Sequence, residues 1–288
     1  MSAPEISFEF FPPRNIEATF RLWDTVQMLA PLKPRFVSVT YGAGGTTRDL
    51  TRDVVATLHK HSGLRTAAHL TCVNASRSET LKIAQDFADA GVRDIVALRG
   101  DPPKDAPGFV PHPTGFAHSV ELIEALAKTG DFNIRVGAYP DTHPEASSLA
   151  SDIDWLKRKL DAGATEALTQ FFFEAETFFR FRDAAAKAGI DQAIVPGILP
   201  IENWKGARAF AKRCGTHIPT WVDEAFTKAT RDNREDLLAT ALCTELCSDL
   251  IEGGVEKLHF YTLNRPELTR DVCFALGVTP EVKLEHVA

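Results

Sequence analysis

The chain has 288 residues, of which 44% are hydrophobic and 25% charged, fractions that exclude a disordered or fibrous protein. A formal net charge of −7, with no Lys/Arg-rich block, argues against nucleic-acid binding. No run of about 18 apolar residues could span a membrane, and the N-terminus lacks signal-peptide features, so we expect a cytoplasmic protein. Five scattered cysteines predict reduced thiols rather than disulfides.

Eight short apolar or β-branched runs, each bounded by Gly, Pro, Asn or Asp, predict eight strands. In chain order they are residues 6–10, 35–40, 66–70, 94–98, 134–139, 166–172, 193–198 and 257–261. Segments with helical spacing separate them, at residues 17–30, 47–61, 78–90, 117–128, 145–162, 175–188, 203–214 and about 232–252. A last helix is predicted from Pro266 to near Gly277. Gly91, Gly163 and Gly189 follow three of the helices, where a left-handed C-terminal cap is expected.

Strand and helix alternate eight times, which predicts an α/β fold, a (β/α)8 TIM barrel that forms a single domain over residues 1–288. An open doubly wound sheet is the main alternative. Such a sheet usually has fewer strands, and the glycine fingerprint expected after its first strand is missing.

Polar residues follow the predicted strands at the end where barrel enzymes place their active sites. They are Glu9, Thr40, His69, Asp101, Tyr139, Gln170 and the pair Asn264 and Arg265. Their recurrence around the predicted ring indicates a functional site at this end of the barrel.

Glu9 stands among three phenylalanines on a strand with no freely solvated face. Burial of a carboxylate raises its pKa, which suits a general acid working near neutral pH. The alternative is a carboxylate at the barrel mouth that is paired with Arg14 or another cation. Asp101 could instead be a turn residue that starts a loop. Gln170 could be a structural amide or an amide that hydrogen-bonds a ligand.

A helix face carries Asp152, Trp155 and Lys159, with Arg158 beside them. This face could bind a ribose through the carboxylate and a pyrophosphate through the cations, or it could be an ordinary charged surface. The glycine-rich segment 41–47 could hold a phosphate through its backbone amides. No metal site is predicted, because Cys243 and Cys247 lie on an apolar helix without nearby histidines.

Taken together, these segments resemble the methylenetetrahydrofolate reductase family. The similarity runs nearly end to end, through residues 7–14 (SFEFFPPR), 36–43 (FVSVTYGA), 69–72, 95–101 (IVALRGD), 138–140, 143–146, 169–173, 196–200 and 259–265 (HFYTLNR). The resemblance implies a flavin-bearing (β/α)8 barrel that passes a hydride from NADH or NADPH through FAD to 5,10-methylenetetrahydrofolate in a ping-pong reaction. The product is 5-methyltetrahydrofolate, a source of methyl groups for methionine synthesis.

The resemblance also implies roles for individual residues. Glu9 would be the general acid, and Asp101 would lie between flavin and folate. Folate or nicotinamide would be contacted by Thr40, Asp101, Gln170, Phe210 and Arg265. FAD would be bound by Thr40, Tyr41, Ala43, His69, Arg99, Gly100, Asp101, Ala117, Tyr139, His143, Ala146, Asp152, Arg158 and Lys159.

Three positions depart from the bacterial pattern of the family: Trp155 and Phe116 near the cofactor, and Gly206 near folate. They affect the expected affinities rather than the chemistry. We expect no second domain that senses S-adenosylmethionine. We expect the chain to form a homo-oligomer. NADH is the default reductant by similarity to bacterial members. A flavin-free folate enzyme and a non-catalytic pterin-binding barrel are the alternative functions.

Overall fold

The computed structural model describes residues 3–42, 48–102 and 108–280. Over these ranges the strands are β1 (Glu5–Phe10), β2 (Val37–Val39), β3 (Thr66–Thr71), β4 (Asp94–Leu98), β5 (Asn133–Ala138), β6 (Glu166–Thr169), β7 (Ala193–Val195), β8 (Gly197–Ile198) and β9 (Lys257–Tyr261). They form one parallel sheet in the order β7-β6-β5-β4-β3-β2-β1-β9-β8. The predicted (β/α)8 barrel is confirmed as a single-domain, nearly closed barrel.

The helices surround this sheet. They are α1 (Ile16–Leu29), α2 (Arg48–His61), α3 (Arg77–Asp89), α4 (Ser119–Ala127), α5 (Leu149–Asp161), α6 (Ala175–Lys187), α7 (Trp204–Cys214), α8 (Thr220–Arg231), α9 (Glu235–Glu252) and α10 (Pro266–Ala275). Gly91, Gly163 and Gly189 have φ of 87°, 121° and 77°, so the predicted left-handed positions after three helices are confirmed.

The seventh predicted strand is divided in two at Pro196. β7 pairs with β6, and β8 pairs with β9 on the other side of the ring. Proline has no N–H to donate to a ladder, so one continuous strand cannot pass through this position. The carbonyl oxygen of Pro196 instead accepts a hydrogen bond from the backbone N–H of His259 at 3.0 Å. The barrel therefore closes through a proline rather than through an unbroken strand.

Helix α8 was not predicted. Of its twelve residues, only Val222 and Phe226 are buried, which leaves a weak apolar period. The helix is held by α7, because Phe226 stacks on Trp204 with ring centroids 4.7 Å apart. The Trp204 indole N–H also donates to Oδ1 of Asp223 at 3.0 Å. Tertiary contacts thus stabilise a helix that the sequence pattern does not indicate.

The barrel interior is a packed core and not a channel. Its side chains come from alternate positions of the strands, and the buried group comprises Phe36, Ala67, Val96, Leu168 and Val195. Because this layer fills the interior, a ligand can enter only above it, at the carboxyl ends of the strands.

Candidate active site

Glu9 lies above the interior core, where two other strands bring imidazoles to its carboxylate. The Nε2 atom of His69 lies 3.3 Å from Oε2 of Glu9, and Nε2 of His259 lies 3.7 Å from the same oxygen. The Glu9 side chain is 15% exposed, and the His259 side chain is fully buried. Neither Nε2 atom has a hydrogen-bond partner within the described part of the chain. Since unpaired buried polar atoms are rare, this cluster is a candidate for proton chemistry.

The two histidines reverse the pKa shift that the sequence predicted for Glu9. Burial raises the pKa of the carboxyl, but the adjacent imidazoles of His69 and His259 lower it by more, and the pKa is about 2. The prediction of a raised pKa was wrong because it considered only the phenylalanines next to Glu9 in the chain. The imidazoles come from β3 and β9, which no local pattern around Glu9 reveals.

Ser7 extends the cluster below Glu9. Its Oγ atom lies 2.8 Å from Nδ1 of His259, so both ring nitrogens of His259 face polar groups of β1. Burial lowers the pKa of His259 even though Glu9 next to it acts in the opposite direction. The arrangement joins Ser7, His259, Glu9 and His69 into one group that can hold and move protons.

A cleft of about 600 Å³ opens at the carboxyl ends of β3, β4 and β5. Most of the residues that the resemblance assigns to FAD line it, namely Tyr41, Arg99, Gly100, Asp101, Ala117, Tyr139, His143, Ala146, Asp152 and Lys159. His69 lies instead at Glu9, and Thr40 lies close to β1, since its N–H donates to the Phe10 carbonyl at 2.9 Å. Ala43 lies outside the described residues, as does most of the glycine-rich segment.

Lys159 and Asp152 lie together in the wall of the cleft. The Lys159 ammonium donates to the backbone oxygen of Gly137, and burial lowers its pKa to about 8, opposed in part by Asp152. Burial raises the pKa of Asp152, whose Oδ2 atom accepts a hydrogen bond from the backbone N–H of His143 at 2.7 Å. A buried cation next to a carboxylate is suited to a phosphate and a neighbouring hydroxyl group.

The predicted face of α5 is only partly in the cleft. Asp152, Trp155 and Lys159 line it. Arg158 is exposed and pairs with Oδ2 of Asp154, one turn away, at 2.7 Å. Its guanidinium also lies 5.1 Å from the centre of the Trp155 ring. Of the two cations on this face, only Lys159 therefore lines the cleft.

Gly100 shapes the turn that carries Asp101 to the mouth of the cleft. Its φ is +85°, and a Cβ atom there would lie 2.6 Å from Cγ2 of Val73 and 2.8 Å from Cβ of Thr71. Only glycine fits both requirements. The preceding Arg99 pairs with Glu145 and lies 5.0 Å over the ring of Phe109, so it covers one side of the same cleft.

Gln170, Phe210 and Tyr261 lie near one another at the mouth of the barrel. The Gln170 N–H donates to the carbonyl of Ala138 at 2.8 Å, and its side-chain Oε1 accepts from the N–H of Phe171 at 3.2 Å. Phe210 stacks near Phe171 with ring centroids 5.2 Å apart, and both belong to the apolar group that includes Tyr261. The loop after β6, helix α7 and the end of β9 thus bring an amide and two aromatic rings together.

Arg265 stands at the start of α10, with its Nη1 atom 3.0 Å from Oε2 of Glu202. The preceding Asn264 is buried, and its side-chain amide bonds to both the N–H and the carbonyl of Phe11 at 2.9 Å. These two bonds fix the loop after β9 to the end of β1. Arg265 is therefore held at the rim, away from the Glu9 cluster.

The three departures from the family pattern occupy different environments. Trp155 is 39% exposed and packs against His118, with ring centroids 5.4 Å apart. Phe116 is buried beneath the guanidinium of Arg77, at 4.8 Å. Gly206 lies in the first turn of α7, where its N–H donates to Oδ1 of Asn203 at 2.8 Å. Trp155 alone among them lines the cleft.

Ser7, His259 and Tyr261 were missed as site residues by sequence reasoning. His259 and Tyr261 are in the segment that carries the family resemblance, but they lie within a strand rather than after it. A polar residue in a predicted barrel strand was the available signal, because such a side chain must face the interior or the helices. All five cysteines are free, as predicted.

Across the described ranges, no group of His, Cys, Asp or Glu is arranged to hold a metal ion. Over the same ranges, no helix is long and apolar enough to cross a membrane.

The protein is a nearly closed parallel barrel. Its proton-holding groups and its cleft lie at the carboxyl ends of the strands, where barrel enzymes have their active sites, so the fold and the site together define a barrel enzyme. Comparison with known proteins is more specific. Residues 2–277 match the family described as Methylenetetrahydrofolate reductase. The chain belongs to the methylenetetrahydrofolate reductase family, as the resemblance implied, and is an oxidoreductase.

The similarity to individual relatives covers almost the whole chain. The chain is 44% identical over 278 residues to 5,10-methylenetetrahydrofolate reductase of Pectobacterium carotovorum. This alignment covers 96% of this chain and 91% of the relative. Identity to the Escherichia coli enzyme of the same name is 45% over 276 residues, with the same coverage. A Clostridium thermocellum protein described as binding 5-methyl-5,6,7,8-tetrahydrofolic acid has the same fold, with a TM-score of 0.63, 13% identity and 96% coverage of both chains.

Proposed function

We propose that this enzyme reduces 5,10-methylenetetrahydrofolate to 5-methyltetrahydrofolate, with FAD as cofactor and NADH or NADPH as reductant in a ping-pong reaction. The observation that carries the proposal is the Glu9 cluster, together with a cleft at the same end of the barrel that contains the Lys159 cation. Relatives that carry the name of this reaction are 44% and 45% identical over 96% of the chain. A role in methyl supply for methionine, a cytoplasmic location and a homo-oligomeric assembly complete the proposal.

The residues of the cleft fit FAD. Lys159 is a buried ammonium with a backbone carbonyl as its hydrogen-bond partner, which suits the pyrophosphate, and Asp152 beside it suits a ribose hydroxyl. Tyr139 offers a half-buried aromatic ring that meets His143 edge-on, with centroids 4.6 Å apart. When bound, FAD would supply the hydride-transfer chemistry that links the nicotinamide to the folate. The chain's own part is to bind both molecules in turn, to exclude water and to provide a proton.

Glu9 would provide that proton to the folate amine, whose protonation opens the five-membered ring to an electrophilic iminium. With a pKa of about 2, the Glu9 carboxyl is ionised at neutral pH and must first be protonated. His69, whose Nε2 atom lies 3.3 Å from Oε2 of Glu9, is placed to transfer a proton to it. Glu9 and His69 therefore act as a pair, rather than Glu9 acting as a carboxylic acid with a raised pKa.

The remaining residues would position the substrates. Asp101, exposed at the mouth, would stabilise the iminium cation and influence the flavin. Gln170 would hydrogen-bond the pterin or the nicotinamide amide, and Phe210 would stack on whichever substrate is bound. Thr40 would contact folate beside Glu9, and Arg265 at the rim would contact the folate tail.

An anaerobic absorbance titration tests the proposal. NADH is added first to the FAD-loaded protein, and methylenetetrahydrofolate second. We expect the flavin absorbance to bleach and then to recover, because the two substrates react in turn at one cofactor. A colourless protein that cannot be loaded with FAD, but still reduces the folate, would replace the proposal with a flavin-free enzyme. Loading without either absorbance change would indicate a binding protein.

Substitution of the carboxylate separates the two half-reactions. We expect Glu9→Gln to lower the rate of flavin reoxidation by the folate by at least about 100-fold, which is the usual contribution of a general acid. Flavin reduction by NADH should stay close to wild type, since it needs no proton from Glu9. Glu174→Gln, outside the cleft, serves as the control and should leave both steps unchanged. Equal loss of both steps in Glu9→Gln would show structural damage and not a missing acid.

A further inference from the structure

Arg135 is fixed at the lower end of the barrel interior. Its side chain is only 3% exposed. Nη1 donates to Oδ1 of Asp94 at 2.7 Å, and Nε donates to Oε2 of Glu166 at 2.9 Å. Two buried carboxylates on neighbouring strands therefore hold the planar guanidinium in one orientation.

The Arg135 guanidinium supports the ring of Phe36. Its Cζ atom lies 3.9 Å from the centre of that ring, which is a close cation–π contact. Phe36 is fully buried and stacks on the imidazole of His259, with ring centroids 5.7 Å apart and planes 19° from parallel. A column of contacts thus runs from the ion pairs of the barrel floor to the imidazole beneath Glu9.

Few polar groups surround the His259 ring. Ser7 and Glu9 face its two nitrogens from β1, and His69 approaches the same carboxylate from β3. On β9 itself the Tyr261 ring meets the imidazole edge-on, with centroids 5.4 Å apart. The Arg135 cation lies beyond Phe36. Since a charged His259 would be a second cation beside this fixed one, the column favours the neutral imidazole.

We propose that Phe36 and Arg135 are positioning residues for the reaction: Arg135, held by the floor carboxylates, keeps the Phe36 ring against His259 and so fixes the imidazole between Ser7 and Glu9. The inference rests on the proposed function, in which the Glu9 cluster delivers the proton. It assigns a part in proton delivery to two residues that cannot touch substrate or cofactor.

The experiment follows the titration of His259 by NMR in the ligand-free protein labelled at histidine, with His259→Gln to assign the signal. Phe36→Leu removes the stacked ring but leaves the floor ion pairs. We expect the pKa of His259 to rise in this variant towards its ordinary value of about 6.5, because the space left by the smaller side chain admits water, which stabilises the charged imidazole. The pH profile of flavin reoxidation by the folate should move with it, while flavin reduction by NADH stays unchanged.

Two further variants keep the outcome decisive. Arg135→Lys retains the charge but loses the planar stack, and it replaces Phe36→Leu if that variant does not fold. Val96→Ala removes volume from the same interior core and should leave the His259 titration as in wild type. An unchanged titration in Phe36→Leu or Arg135→Lys would overturn the inference. If wild type reduces no folate, the proposed function fails, but the His259 titration still tests the positioning role.

Discussion

At the scale of single residues, the cleft contains a cation whose charge depends on pH near the physiological range. Burial lowers the pKa of Lys159 to about 8, although Asp152 partly offsets this. Its hydrogen-bond acceptor is the Gly137 carbonyl, which is neutral. A bound phosphate would supply the missing negative charge and raise this pKa again. Binding of an anionic cofactor should therefore be linked to protonation of Lys159.

We expect Lys159→Met to weaken FAD binding by roughly 10- to 100-fold, since a charge-assisted hydrogen bond contributes about 1.5–3 kcal/mol. In wild type the affinity should fall as pH rises above about 8, where the free protein loses the Lys159 proton. The variant should lack this pH dependence. Fluorescence titration with FAD measures both effects. Lys157→Met, on the same helix but paired with Asp161 at the surface, should bind FAD like wild type.

At the scale of elements, the barrel depends on how its seam closes. β7 and β8 are joined by Pro196, and Gly197 lies where the chain crosses from one neighbour to the other. The Gly197 N–H donates to Oγ1 of Thr169 at 2.9 Å, and the Tyr261 hydroxyl donates to the Thr169 carbonyl at 2.6 Å. A Cβ atom on Gly197 would lie 2.1 Å from that carbonyl oxygen and 2.6 Å from the Tyr261 ring. The seam therefore has no space for a side chain.

We expect Gly197→Ala to lower the free energy of unfolding by about 3 kcal/mol, at the upper end of the cost of overpacking, because backbone atoms must move. Thermal unfolding followed by circular dichroism measures the change. Gly206→Ala is the matched control: its nearest contact is Oδ1 of Asn203 at 3.3 Å, in the first turn of a helix. Alanine there should be neutral or stabilising. A normal melting temperature for Gly197→Ala would show that the seam relaxes easily.

At the scale of the whole molecule, the two ends of the barrel carry charge in different ways. At the mouth, the Nε2 atoms of two imidazoles near Glu9 are without hydrogen-bond partners among the residues described. At the floor, Asp94 bonds to Arg65, Arg135 and Asn133 at 2.7–2.8 Å. Burial raises the pKa of Asp94, but these partners outweigh burial and lower it. The floor thus stabilises the fold, whereas the mouth retains polar groups for chemistry.

We expect Asp94→Asn to reduce the free energy of unfolding at pH 7 by about 3 kcal/mol, because it leaves the buried guanidinium of Arg135 without one of its two carboxylate partners. The folded-state pKa of Asp94 is below its unfolded value, so its contribution is complete above about pH 4 and is lost as pH falls through the folded value. The difference in melting temperature from wild type should therefore shrink in acid. Asp53→Asn, in an exposed pair with Arg52, should change stability by less than about 0.5 kcal/mol at either pH. A pH-independent deficit in Asp94→Asn would contradict the linkage.

Much of the fold was predictable because each strand and most helices carry their own apolar period. The exceptions are residues whose neighbours come from distant segments. Helix α8 has too few buried positions to be recognised alone, and Pro196 divides a run that otherwise looks continuous. The polar residues at strand ends indicated the mouth of the barrel correctly as the place of the cleft. They could not show that Arg158 faces away from it, since a helix face does not specify a side chain's partner.

By itself, the sequence determined the alternation of strands and helices, the family and the carboxylates and cations available for chemistry. These follow from periodicity and from residue identity, which are local properties of the chain. Only the tertiary structure decided the protonation of Glu9, because the imidazoles that lower its pKa come from β3 and β9. It also decided that Phe36 and Arg135 lie beneath His259. Electrostatic interactions depend on distance in space, and barrel closure brings together residues that are far apart in the chain.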